Sequence, residues 1–154
     1  MSTLGAVLRP VRMPTSETIK RDPVAQAFLL LRIGFTVAPI LFGLDKFANV
    51  LTDDWTRYLS SEYNSIMPGS AADAMHVVGV VEIVAGLAVL IVPRFGGFLV
   101  AAWLGGIIVD LLLVGGYGDI ALRDFGLMLG ALTLTRLAAA FADDGRGRSP
   151  VDLR

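Results

Sequence analysis

The chain has 154 residues, of which 55% are hydrophobic and only 18% charged, with a mean hydropathy of +0.68. That leaves too little polar surface to solvate a globular domain of this size in water. A net charge of -1 supplies no basic field for DNA or RNA, so nucleic acid is excluded as a partner. The absence of cysteine and the single His76 leave no disulfide, thiolate metal centre, cysteine-ligated cluster or bis-histidine haem, so neither an intrinsic cofactor nor a metal site is expected.

Residues 1–22 hold Arg9, Arg12, Lys20 and Arg21 with Pro10 and Pro14. The apolar stretch after them is too long for a signal-peptide core, and they read as a retained cytoplasmic tail. A hydrocarbon core of about 30 Å needs roughly 20 apolar residues per helix. Four runs meet that length within a membrane domain spanning 23–141: 24–44, 72–92, 95–114 and 120–140. Stretches such as 77–92 are apolar on every face and lack the alternation of a barrel strand. The expected fold is therefore all-α, an integral membrane four-helix bundle, with the lipid bilayer as its surroundings.

In the first span Arg32, Thr36, Pro39, Gly43 and Lys46 recur at steps of three or four and form one polar or small stripe. The connection 47–71 is the longest and contains Trp55, Tyr58 and Tyr63, aromatics suited to the headgroup level. In the second span Gly79 and Gly86 flank Glu82. Glu82 falls near mid-membrane and Arg32 about 6 Å to its cytoplasmic side, so the two are expected to pair. His76 is about 120° round the helix from Glu82 and reads as interfacial. Pro93 and Arg94 join the second and third spans in a tight antiparallel hairpin.

The third span places Ala102, Gly106 and Asp110 in one row and Gly97, Ala101 and Gly105 in a second, rows that let helices approach closely. Trp103 reads as a lipid-facing or packing aromatic. Residues 115–119 turn the chain into the fourth span, where Asp119, Arg123, Gly126, Gly130 and Thr133 share a stripe and Gly126 to Gly130 is a GxxxG read as internal packing. By depth, Asp110 and Arg123 are expected to meet. Residues 142–154 read as a mobile cytoplasmic tail.

Charges deep in a bilayer are costly and face protein or water. The candidate intramembrane polar cluster is Arg32, Asp45, Lys46, Glu82, Asp110, Asp119, Arg123 and Asp124. Two readings are open: ion pairs that clip helices together, or a polar cavity for a small solute, a proton or a quinone headgroup. Lys46 alone could snorkel, with Asp45 compensating it. Basic residues near the span ends number nine on the side of the termini (Arg9, Arg12, Lys20, Arg21, Arg94, Arg136, Arg146, Arg148, Arg154) against Lys46, Arg57 and Arg123. The positive-inside rule then places both termini in the cytoplasm.

Three pieces, LLLRIGFTVAPILFGLDKF, VVGVVEIVAGLAVLIVPRFGGFLVAAWLGGIIVDLLL and DIALRDFGLMLGAL, resemble the DoxX-like family of small four-helix bacterial membrane proteins, which includes quinone-linked thiosulfate oxidoreductase subunits. The resemblance covers about residues 25–137 and implies the bundle fold and a bacterial inner-membrane location. It implies family positions at Arg32, Asp45, Lys46, Glu82, Asp110, Arg123 and Asp124. No residue is assigned a catalytic role. The expected function is a non-catalytic accessory subunit of a membrane redox or respiratory assembly, with other membrane subunits as partners. The alternatives are a quinone-linked oxidoreductase subunit acting on a small sulfur substrate, with a quinone contact, and a small-solute or proton transporter, which the lack of an evident inverted repeat disfavours.

Overall fold

The computed structural model describes residues 11, 13–67 and 69–143. The C-terminal tail beyond them, and Arg9, Arg12, Arg146, Arg148 and Arg154 of the charge count, lie outside the described residues. Among the described residues four helices are long and apolar enough to cross a membrane, and the architecture is the expected all-α bundle.

A short helix α1 (Ser16–Arg21) starts at Thr15, whose side chain accepts from the Thr18 amide. Its sequel, Asp22, ends α1 and begins α2 (Pro23–Ala48), accepting from the Val24 amide, with Pro23 at the first helical position. That position suits proline because its missing N–H would have no intrahelical partner. The first span thus runs to Ala48, and Asn49 stops it in the left-handed conformation (φ 51°). A 3₁₀ turn at Thr56–Tyr58 and a short helix α3 (Ser61–Ile66) organise the long connection. Next, α4 (Ala71–Ile91) opens on a capping box between Ser70 and Asp73.

Only Val92 separates α4 from α5 (Pro93–Val114), so the hairpin is tighter than its sequence suggests. Gly115 and Gly116, both with φ near 80°, turn the chain into α6 (Gly118–Asp143). The helices close into a ring in the order α2, α4, α5, α6, with the most extensive packing between α2 and α4 and between α5 and α6. One end of the ring, the tail side, carries the residue 13–22 segment and the α4–α5 turn. The other, the loop side, carries the connection 49–70 and the α5–α6 turn.

Apolar packing cannot orient helices in lipid, since lipid tails are as apolar as leucine, so close backbone approach has to. At α2 against α4, a Cβ on Gly43 would lie 2.5 Å from the Gly79 carbonyl oxygen, and one on Gly79 2.7 Å from that of Gly43. Gly86 sits equally close to Thr36 and Ile40. Gly97 meets Thr135 and Ala131 of α6, and Gly96 meets Val89 and Ala88 in α4. These contacts bear out the small stripes of the first two spans and, in the third, Gly97 and Ala101 of the Gly97, Ala101 and Gly105 row. Ala102 is exposed and a Cβ on Gly106 would meet nothing within 4 Å, so the Ala102, Gly106 and Asp110 row is not a close helix contact.

The fourth span differs. Its buried positions are Ala121, Ala131, Leu134, Thr135 and Ala138, whereas Asp119, Arg123, Gly126 and Thr133 are exposed. A Cβ on Gly126 would meet nothing within 4 Å, and one on Gly130 would meet only the Phe35 ring. Of the GxxxG, therefore, only Gly130 packs within the chain, against the Phe35 side chain of α2, and Gly126 does not. We expect Gly43→Ala to lower the unfolding free energy in detergent by about 1–3 kcal/mol through overpacking. Gly126→Ala, in open space, should stay neutral or gain up to about 1 kcal/mol in helix propensity. Thermal or denaturant melts of the two variants side by side check the assignment.

Candidate functional site

A helical side chain leans toward the N-terminus of its own helix. α2 runs from the tail side to the loop side, so Lys46, near its loop-side end, leans back into the bilayer. α4 runs the other way, so Glu82 leans toward the loop side and meets it. Lys46 Nζ donates to Glu82 Oε2 at 2.7 Å, and the two residues are only 6% and 8% exposed. Lys46 does not snorkel to the headgroups.

The same lean removes Arg32 from the expected pair with Glu82. With Gly43 against Gly79, the antiparallel register sets Arg32 opposite Leu90, and the guanidinium reaches toward the tail side. There it donates to the Leu90 carbonyl and to the Met13 thioether. Leu90 lies in the last turn of α4, where carbonyls lack intrahelical donors and the helix dipole favours a cation.

Asp110 does not meet Arg123 either. Arg123 lies in the second turn of α6, leans back toward the loop-side interface and pairs with Asp119 at 3.7 Å, both side chains more than two-thirds exposed. Asp110, 8% exposed, accepts instead from the Ser60 amide at 2.9 Å.

Asp45 is the second anchor of the connection, more than a counter-charge for Lys46. Its Oδ1 accepts from the Val50 and Leu51 amides at 2.9 and 3.0 Å. Its Oδ2 accepts from the Trp55 indole N–H at 3.0 Å. Lys46 Nζ lies 4.1 Å from the centroid of the Trp55 ring, within range for a cation–π contact. The Tyr63 hydroxyl donates to the Gly106 carbonyl at 3.2 Å. A chain of rings, Phe42, Trp55, Tyr58 and Tyr117, continues across the loop side with centroid separations of 6.4, 5.9 and 5.1 Å. The loop therefore sits on the bundle as an aromatic lid over the Lys46 and Glu82 pair.

Outside the membrane helices, the Thr56 hydroxyl and amide donate to Asp54 Oδ1 at 2.6 and 2.8 Å. These bonds, the hydroxyl's first, hold the Asp54 carboxyl below its ordinary range. His76 is exposed and stacks on Phe47 at 4.9 Å with an interplanar angle of 5°, in keeping with an interfacial residue.

Below the lid, the Trp103 indole N–H is buried with no partner in hydrogen-bonding geometry, although it lies close enough to interact with the Glu82 carboxylate. Asp124 of α6 is half-buried. The interior polar set is therefore Lys46, Glu82 and Trp103. Arg32, Asp119 and Arg123 lie outside it, and Asp45 and Asp110 hold its cover. Among the described residues no group of three histidine, aspartate or glutamate side chains could hold a metal ion.

Comparison of the chain with family models, with curated proteins and with solved structures gives no match.

Proposed function

We propose that the chain is a non-catalytic accessory subunit of a membrane redox or respiratory assembly, related to the DoxX-like proteins. It would sit in a bacterial inner membrane with both termini in the cytoplasm. The observation that favours a scaffolding role is that the buried charges are used within the chain. Lys46 is paired with Glu82, Asp45 holds Val50, Leu51 and Trp55, and Asp110 holds Ser60. A bundle clamped this way presents a rigid apolar exterior to neighbouring subunits. The redox context rests on the resemblance of the three sequence pieces to that family, and the orientation on nine basic residues against three.

Extraction in mild detergent, with mass spectrometry of the co-purified chains and a visible spectrum, tests this reading. Stoichiometric recovery of a cofactor-bearing membrane subunit is expected, with no chromophore left once the partner is removed. Quinol or thiosulfate turnover by the isolated chain would overturn it. A reporter active only outside the cytoplasm, fused after residue 154, should stay silent.

One observation favours a second reading. The buried Trp103 N–H, close to the Glu82 carboxylate but not in good hydrogen-bonding geometry with it, is a donor that a quinone carbonyl could take up. Quinone-dependent quenching of Trp103 fluorescence in a Trp55→Phe background would support it.

A further inference from the structure

An apolar trough runs along α2, starting at its seam with α4, where Leu90 lines it, and continuing over the outward face of α2. At the tail side it begins as a cavity of about 320 Å³ lined by Met13, Leu29, Arg32, Thr36 and Leu90 among others. It continues, through the shared residues Ile33 and Val37, into a second cavity of about 380 Å³ with Gly34, Ala38 and Phe42, closed by Leu51 of the loop. From Leu29 to Phe42 the trough is about 20 Å long, longer than the roughly 15 Å depth of one leaflet. Gly34 opens its floor, for a Cβ there meets nothing within 4 Å.

The polar groups of the trough lie together at one end. Thr36 is 9% exposed, lines the cavity, and its hydroxyl has no partner. Arg32 forms no ion pair with any described carboxylate, and its Nε–H is buried without an acceptor. One of its terminal nitrogens donates to the Met13 thioether, a weak acceptor for a full positive charge. An anionic oxygen is the far better match, since guanidinium pairs with phosphate through parallel N–H···O bonds. A cation and a hydroxyl at the interface end of an apolar trough of leaflet length describe the shape and charge of one lipid.

We infer that this trough is a binding site for an acidic phospholipid, its phosphate on Arg32 in place of the Met13 sulfur and one acyl chain along Ile33, Gly34, Val37 and Ala38. The chain would thereby hold one lipid in preference to the bulk bilayer.

The full chain, reconstituted in vesicles of equal phosphatidylglycerol and phosphatidylcholine, is extracted mildly and its retained lipids are weighed by native mass spectrometry. One phosphatidylglycerol should be retained about tenfold over phosphatidylcholine, the ratio one charge-assisted bond sustains. Arg32→Gln should bring the two lipids to parity. Gly34→Leu fills open space on the lipid-facing side of α2, so it should fold normally and lose the retained lipid. Equal retention of both lipids by the unaltered chain overturns the proposal. So does a preference that survives Arg32→Gln, which would place it on surface cations such as Lys20 and Arg21. Should Arg32→Gln fail to fold, Gly34→Leu decides alone, and unchanged retention there refutes the site. Added palmitate retained where phosphatidylglycerol is not would refute the phospholipid.

Discussion

Replacing Lys46 by Met, or Glu82 by Leu, should each destabilise the protein by about 3–5 kcal/mol, while the double variant should recover most of the loss. Taking either partner away leaves the other charged, buried and unpaired in a low-dielectric interior, and that desolvation cost is the larger part of the effect. Removing both leaves apolar groups in an apolar site, which for buried pairs often costs little. The pair bridges α2 and α4 at 2.7 Å, so the loss should appear as separation of these two helices. Denaturant melts of the two single variants and the double one, in the same detergent, give the coupling as their departure from additivity. Simple addition of the two losses would show that the pair does not clamp the two helices. Arg32→Leu combined with Glu82→Leu should add, since those residues do not meet.

Asp45→Ala should release the aromatic lid. The carboxylate accepts two backbone amides and one indole N–H, and a hydrogen bond to a charged group contributes about 1.5–3 kcal/mol. Loss of even one such bond raises the open population about tenfold or more. Arg57 is exposed on the lid, so trypsin cleavage after it reports the opening directly, the rate following the open population when reclosing is fast. Asp45→Asn separates the two halves of the anchor. Its amide oxygen can still accept from Val50 and Leu51, but its NH₂ would face the Trp55 N–H donor to donor. Cleavage should therefore be intermediate, with Trp55 emission shifted as if free. A lid equally protected in all three proteins would assign its docking to Asp110, Ser60 and Tyr63 instead.

The spans, the hairpins and the small stripes of the first two spans were legible because length, hydropathy and glycine spacing act locally, and in the third span that holds only for Gly97 and Ala101. The partners of the charges were not. Depth along each axis brings Arg32 within reach of Glu82, and Asp110 within reach of Arg123, only if side chains stand perpendicular to their helices. The N-terminal lean moves Arg32 and Arg123 toward opposite interfaces and brings Lys46 inward. That rule selects Lys46 for Glu82 only together with the Gly43 and Gly79 contact, which sets the register of α2 against α4. Asp45 and Asp110 lay beyond such reasoning, because their donors, the amides of Val50, Leu51 and Ser60, are identical in every sequence. In α6 the inward face carries Ala131, Leu134, Thr135 and Ala138. Lipid removes the hydrophobic contrast that would mark it, and the glycine stripe drew the wrong face.

The two carboxylates that hold the lid lie 65 positions apart in the chain, on α2 and α5, and this spacing orders biosynthesis. When α2 first enters the bilayer, Lys46 lacks its Glu82 partner until α4 follows. Asp45 can gather Val50, Leu51 and Trp55 at once, since all are within ten residues of it. Ser60 and Tyr63 have no seat until α5 delivers Asp110 and Gly106. The lid therefore closes in two steps, its first half during synthesis and its second only after the third span has been inserted. A ribosome stalled before residue 110 would hold a nascent chain whose loop is anchored at one end and open to modifying enzymes or chaperones at the other.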